Sequence, residues 1–372
     1  MADKKAPSAD EAKLLAELRD KIDGIDQEIG ELISARARCA QEVAQIKLTH
    51  SAEKNPKFYR PEREAQVLRR AMERNQGPLS NETFARLFRE IMSACLALES
   101  PIKVAYLGPE GTFTQQAALK HFGHAAEAVS LAAIDEVFRE VEAGAAHYGV
   151  VPVENSTEGV VTHTLDNFID SSAKICGEVV LRIHHNLLVS DITRRDSISR
   201  IYSHAQSLAQ CRKWLDAHYP QAERIAVSSN AEAAKRLRGE WNAACIAGEM
   251  VEELYGLTTV AARIEDRPDN STRFLIIGAE EVTPSGEDKT SIVVATKNQP
   301  GALYDLLEPF RRFNVDLTRV ETRPSPTGAW NYVFFIDFSG HRQDKPVQQA
   351  LAAVAERVSD LKILGSYPKG VL

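Results

Sequence analysis

The chain has 372 residues, 44% of them hydrophobic and 26% charged, with a formal net charge of -7. That length predicts two or three domains rather than one core, in the composition range of a globular protein. No apolar run approaches the roughly 20 residues of a membrane span, the acidic balance disfavours nucleic acid, and the opening MADKKAPSADEAKLL lacks the apolar core of a secretory signal. A cytoplasmic protein without a membrane role is expected. Cys39, Cys95, Cys176, Cys211 and Cys245 are scattered and never spaced as C-x-x-C, which disfavours a disulfide framework and a structural zinc site, so no metal is expected.

From Asp10 to about Thr49 there is no proline, and Leu15, Leu18, Ile22, Ile25, Ile29 and Leu32, then Val43 and Ile46, recur in steps of three and four. Such a seam predicts one helix about 60 Å long, more than a compact monomer of this size would use, and hence a dimer sharing it. The same stepping puts Arg36 and Cys39 on the seam, where a guanidinium needs an anion beside it, and an anionic ligand would supply one. Lys47 lies eleven residues on, about 20° round the helix, so both cations face one pocket. Arg19, about 100° away from Arg36, is expected to serve the partner subunit's pocket. Helices over 61 to 75 and 81 to 99 follow.

These residues resemble the all-helical chorismate mutase family, in which two intertwined chains form two active sites. The resemblance implies a domain over residues 8–100 with chorismate as substrate. It makes Arg19, Arg36, Lys47 and Arg63 the cationic wall for the two substrate carboxylates and puts Glu64 near the substrate hydroxyl. Cys95 stands where the family usually has Ser, and Glu99 where a Gln often donates to the ether oxygen of the breaking bond. The rearrangement to prephenate is pericyclic and needs no nucleophile, base or metal. Orientation suffices, with Lys47 and a protonated Glu99 stabilising charge on the ether oxygen.

Beyond Ser100-Pro101, strand and helix signals alternate, with strands expected at 102 to 107, 147 to 153, 178 to 189, 200 to 203, 223 to 228, 243 to 247, 258 to 264 and 272 to 278. That rhythm means α/β. Gly108-Pro109-Glu110-Gly111 is neither G-x-G-x-x-G nor a P-loop, so no nucleotide and no cofactor is expected. Four polar turns stand out. Asn270-Ser271-Thr272-Arg273-Phe274 runs into the apolar Leu275-Ile276-Ile277, setting a hydroxyl and a guanidinium at a strand mouth, where ligands of open α/β sheets bind. The others are Gly108 to Thr112, Glu154-Asn155-Ser156-Thr157-Glu158-Gly159, and Ser203-His204-Ala205-Gln206-Ser207 leading to Gln210-Cys211. Each is expected to precede a helix, whose free N–H groups suit carboxylates.

Together they resemble the prephenate dehydratase family over residues 102–280, a fold of two α/β lobes with the active site in the cleft. The resemblance makes Thr272 the weak acid at the leaving hydroxyl of prephenate; His204, a histidine in one of the other turns, is the second candidate on its own chemistry. It assigns Arg273 to a carboxylate, and Thr112, Asn155, Ser156, Thr157, Ser203 and Gln210 to the polar lining.

Pro284-Ser285-Gly286-Glu287-Asp288 reads as a linker, followed by strand (289 to 297), helix (302 to 313), strand (315 to 323), strand (329 to 338), helix (345 to 359) and strand (362 to 367). This βαββαβ order over 289–372 is ferredoxin-like, an α+β fold. Asn298-Gln299-Pro300-Gly301-Ala302-Leu303 and Glu321-Thr322-Arg323-Pro324 resemble the signature stretches of phenylalanine-sensing ACT domains. The resemblance implies that Gly301, Ala302, Leu303, Glu321, Thr322 and Arg323 hold a phenylalanine effector between two subunits. The whole multidomain chain is similar to the bifunctional chorismate mutase/prephenate dehydratase family of bacterial phenylalanine synthesis, expected as a homodimer or a higher homo-oligomer. Two rival readings remain. A dehydratase preferring arogenate differs by one amino group on the substrate, and a non-catalytic amino-acid sensor would also suit cleft-forming and ACT domains.

Overall fold

The computed structural model of the chain describes residues 9–50, 59–296, 299–324 and 332–371. Asn298, named above for the effector loop, lies outside them. The proline-free start forms α1 (Ala9–His50), 42 residues or about 63 Å at the α-helical rise. Its seam lies open in the single chain, with Leu18 58%, Ile25 47% and Leu32 70% exposed. Helix α2 (Pro61–Arg74) starts on the proline that suits a first helical turn. The Ser80 side chain caps α3 (Asn81–Glu99) by accepting from Thr83 N. Helix α3 packs against both α1 and α2, whereas α2 makes no extended contact with α1.

The central region contains two sheets. The first is ordered β2-β1-β3-β11-β5, with β4 paired to β3, and is built from β1 (Lys103–Leu107), β2 (Glu127–Leu131), β3 (Tyr148–Asn155), β4 (Gly159–Val160), β5 (Lys174–Arg182) and the late strand β11 (Ser271–Gly278). Helices α4 (Phe113–Phe122), α5 (Ile134–Glu142) and α6 (Thr162–Asp170) accompany it. The second is ordered β10-β6-β9-β7-β8: β6 (Asn186–Val189), β7 (Arg200–His204), β8 (Glu223–Val227), β9 (Ala243–Ala247) and β10 (Thr258–Ala261). It carries α7 (Ala205–Gln210), α8 (Arg212–His218), α9 (Asn230–Arg236) and α10 (Glu249–Tyr255). The chain therefore passes between lobes twice, at 183–185 and at 262–270.

Three expectations need correction. The stretch 178 to 189, expected as one strand, is β5 and β6, because a continuous apolar run cannot show that the chain leaves one sheet for another at Ile183-His184-His185. Strands β2 and β4 had no expected counterpart. The turn at 154 to 159 does precede a helix, α6 from Thr162, but first closes a hairpin between β3 and β4 that was not expected, with Asn155 paired to Gly159.

The last region alternates β12 (Asp288–Thr296), α11 (Ala302–Arg312), β13 (Leu317–Pro324), β14 (Tyr332–Ser339), α12 (Lys345–Ala355) and β15 (Asp360–Pro368), with its sheet ordered β13-β14-β12-β15. Its outer side chains Val293, Val333, Phe335, Leu364 and Tyr367 share one buried cluster with Leu275 and Ile277 of β11. Gly365 lies so close to β5 that a Cβ there would come within 2.2 Å of Ile175 O. The Lys362 ammonium donates to the carbonyls of Phe168, Ile169 and Ser171 at the end of α6.

Candidate active sites and effector site

In the helical region the structure brings together Arg36, Lys47 and Glu99. Burial raises the Glu99 pKa, opposed by the positive charges of Lys47 and then Arg36, and burial wins. Arg36 and Cys39, expected on a covered seam, are exposed in the single chain, as is Arg19. Arg19 stands 17 residues before Arg36 on the same helix, about 25 Å away along its axis, too far to share a pocket within one chain. Arg63 is exposed on α2. Cys95 is buried one turn before Glu99 on α3.

Glu64 does not join this group. Its Oε1 accepts from Arg89 Nε at 3.1 Å, and Arg89 Nη1 donates to Lys120 O of α4 at 2.8 Å. Its carboxyl is raised by burial, with Arg89 lowering it. Glu64 thus belongs to the seam between the helical region and the first lobe, where Tyr59 packs on Phe122 and Tyr148. Arg89 was not foreseen, since a partner 25 residues away on another helix leaves no local signal.

Between the lobes the polar turns converge. Asn155 and Thr272 are cross-strand neighbours on β3 and β11, and Asn155 Nδ2 donates to Thr272 Oγ1 at 2.8 Å. Asn155 Oδ1 in turn accepts from the backbone N–H groups of Thr157 and Glu158. Asn270 Oδ1 lies 3.2 Å from Asn155 Nδ2 and 3.3 Å from Thr157 Oγ1, and Asn270 Nδ2 donates to Gln210 Oε1 at 3.0 Å. Ser156 ties this corner to β11 by backbone and side-chain bonds with Ser271 at 2.9 Å. The result is one chain, Thr272-Asn155-Asn270-Gln210, from the first lobe to the second. Gln210 Nε2 at its far end is buried without a partner among the described residues.

Ser203 is fully buried and lies within hydrogen-bond distance of Asn230 Oδ1 and Ile246 O. Asn230 also accepts from His204 N and Ser207 Oγ, so an asparagine the sequence reading passed over organises that turn. The His204 ring caps its own short helix by accepting from Gln206 N at 3.4 Å. Thr112 caps α4 through Gln115 N and donates to Leu107 O, a use of its hydroxyl that holds the turn itself.

Arg273 departs most from expectation. Strand alternation turns it to the face opposite Thr272, where Nε donates to Glu178 at 2.9 Å, Nη1 to Asp337 at 2.6 Å and Nη2 to Tyr367 Oη at 3.0 Å. A guanidinium so occupied does not line the cleft for a substrate carboxylate. Its cross-strand neighbour Glu154 shares that face and pairs with Arg319 of β13 at 3.0 Å. The last domain therefore grips, from behind, both residues adjacent to the Asn155-Thr272 pair.

In that domain Gly301 takes φ 85° just before α11, in open space, so the left-handed backbone rather than close packing calls for glycine. Ala302 begins the helix and Leu303 is 46% exposed. Alternation along β13 sends Arg319, Glu321 and Arg323 to one face and Val320 and Thr322 to the other. Arg323 is already engaged by Asp166 of α6 through contacts of 2.8 to 3.2 Å, which anchors it to the first lobe.

A helical module with a cation-flanked carboxyl, a two-lobed cleft lined by hydroxyls and amides, and a small βαββαβ domain define a modular biosynthetic enzyme. The chorismate mutase type II family matches residues 18–100, the prephenate dehydratase family residues 104–282, and the ACT domain family residues 290–356. The chain is 64% identical to the bifunctional chorismate mutase/prephenate dehydratase of Stutzerimonas stutzeri, over 97% of this chain and 100% of that one. To the protein of that description from Pseudomonas aeruginosa it is 63% identical, over 98% and 100%. The solved prephenate dehydratase of Arthrobacter aurescens, in complex with L-Phe, is 34% identical with a TM-score of 0.67, covering 72% of this chain and 90% of that one. The chain belongs to the family of bifunctional chorismate mutase/prephenate dehydratases, with an ACT domain following its two enzyme domains. No helix among the described residues is long and apolar enough to cross a membrane.

Proposed function

We propose that the chain converts chorismate to prephenate at the helical site and prephenate to phenylpyruvate in the cleft, under feedback control by phenylalanine. In the first step the ether C–O bond breaks as a C–C bond forms, with no proton transferred. Arg36 and Lys47 bind carboxylate and ether oxygens, and Glu99, whose pKa burial raises, donates to the ether oxygen in its protonated form. In the second step the bond to the ring carboxylate breaks, releasing carbon dioxide, and its electron pair enters the ring. The ring hydroxyl leaves as water with a proton from Thr272, which solvent replaces.

The observation that carries this reading is the direction of one hydrogen bond. Asn155 Nδ2 is the donor at 2.8 Å, so Thr272 Oγ1 accepts and its own O–H is left to point at a leaving group. With Arg273 turned away and the Ser203 hydroxyl spent on Asn230 and Ile246, substrate carboxylates fall to Gln210 and backbone N–H groups of the cleft. The exposed seam of α1 supports a homodimer in which Arg19 of each chain completes the other's pocket. The five cysteines form no disulfide with one another, which suits a reducing, cytoplasmic setting.

Phenylalanine control has a physical route. Strand β13 carries Thr322 on its outer face and Arg319 on its inner face, so an effector beside Gly301 and Thr322 that shifts β13 moves Glu154, and with it Asn155. Following chorismate loss and phenylpyruvate formation by the purified chain tests the whole reading. Substrate binding without turnover would make it a sensor, and faster turnover of arogenate than of prephenate would change the substrate.

A further inference from the structure

The two crossings between lobes are laced together, and one side chain at the lacing has no part in the reactions above. Ile264 N donates to His185 O at 2.8 Å and Ile183 N to Asn270 O at 2.9 Å. The Glu265 carboxylate takes His185 N at 2.9 Å and stands 2.8 Å from His184 Nδ1. The His185 ring is sealed in at this point, 1% exposed, edge-on to Phe113 with centroids 5.6 Å apart. Its Nε2 lies 2.8 Å from Gln210 Oε1, the same oxygen that accepts from Asn270 Nδ2 at 3.0 Å.

The proton inventory then has one solution. An amide oxygen only accepts, so Nε2 of His185 carries the hydrogen. Burial pushes the ring's pKa down, which keeps it neutral and leaves Nδ1 a lone pair, buried and without a partner. Turning the Gln210 amide over would set its NH2 against the Asn270 Nδ2 donor, whose own orientation is fixed by Asn155 Nδ2 and Thr157 Oγ1 on its oxygen. Held by its oxygen, the amide keeps its Nε2–H2 as a donor that no group among the described residues accepts. A buried donor left unpaired is costly unless a ligand pairs with it.

We infer that His185 is a positioning residue of the dehydratase site: with Asn270 it locks the Gln210 amide so that its N–H groups face a carboxylate or keto oxygen of the substrate. This rests on the reading that Gln210 and Thr272 belong to that site. The lock extends the polar chain from Thr272 through Asn155, Asn270 and Gln210 to His185, joining both lobes at both crossings. It also gives a cleft from which Arg273 is turned away a donor toward an anionic substrate, since a fixed amide N–H costs no reorganisation on binding.

The test compares His185→Leu, His185→Gln and Gln210→Leu in the full chain for prephenate kcat and KM, with chorismate consumption as internal control. His185→Leu should raise KM for prephenate about tenfold, the loss of one oriented hydrogen bond, with a smaller change in kcat. His185→Gln, whose amide N–H reaches the same oxygen, should stay within about threefold of the parent. Mutase rates should be unchanged throughout. A parental KM in His185→Leu overturns the inference, as does His185→Gln being impaired to the same degree. If His185→Leu unfolds, Asn270→Asp turns the amide over without emptying the ring's site: a raised KM supports the lock, and a parental one overturns it. An unchanged KM in Gln210→Leu would remove Gln210 from the site and the underlying reading with it. A raised KM there beside a parental His185→Leu would remove His185 alone.

Discussion

Replacing Thr272 by Val keeps the shape of the side chain and removes only its hydroxyl. The structural cost is small, because Asn155 Nδ2 loses one acceptor at 2.8 Å but retains Asn270 Oδ1 at 3.2 Å, and its own oxygen remains held by Thr157 N and Glu158 N. One lost hydrogen bond is worth about 1 kcal/mol, which lowers the melting temperature by a few degrees at most. The catalytic cost is of another order. A positioned acid contributes about 10²–10⁴-fold, or roughly 3–5 kcal/mol of barrier. Phenylpyruvate formation from added prephenate should therefore fall by that factor, while chorismate loss continues at the parental rate and prephenate accumulates. Thr272→Ser, which restores the hydroxyl, should recover most of the rate. Thr272→Val within about tenfold of the parent would refute the argument and pass the acid role to His204.

Further outcomes follow from the other sites. Glu99 donates only when protonated, and burial holds its pKa above the ordinary carboxyl value against Lys47 and Arg36. Mutase activity is thus fully present below that raised pKa and lost as pH rises through it, and Glu99→Gln should flatten a pH–rate profile measured on chorismate. Arg36→Ala should cost the mutase about 10²-fold or more while sedimentation shows the parent's oligomeric state and added prephenate is still dehydrated, since in the proposed dimer the apolar seam rather than this exposed cation would hold the helices. A monomeric product would make Arg36 structural. Arg319→Met should leave phenylalanine binding by calorimetry intact but raise the concentration giving half inhibition of the dehydratase about tenfold, because the grip on Glu154 at 3.0 Å is lost. Parental inhibition in that variant would place the coupling elsewhere.

Much of the molecule is legible along the chain. The steps of three and four from Leu15 to Ile46 specify a long helix with one apolar seam, because a helix returns to the same face every three or four residues. The run Phe274 to Ile277 behind Thr272 specifies a buried strand, and the polar turns mark where backbone and side-chain groups gather. These are local properties, set by side-chain period and turn chemistry within a few residues. Alternation alone would also have separated Thr272 from Arg273, since neighbours on a strand face opposite ways, and that signal went unused in assigning the arginine to the cleft.

What local pattern cannot contain is which distant groups meet. Glu64 turns to Arg89 rather than to the mutase cations, Arg273 to Asp337 and Tyr367 of another domain, and Gln210 to His185 across a crossing that reads in sequence as uninterrupted strand. Each choice depends on the order in which strands enter a sheet and on the angle at which domains dock. Those are decided by burying apolar surface such as Leu275, Ile277, Phe335 and Tyr367 in one core, a free energy that sums over the whole interface and leaves no trace at any single position.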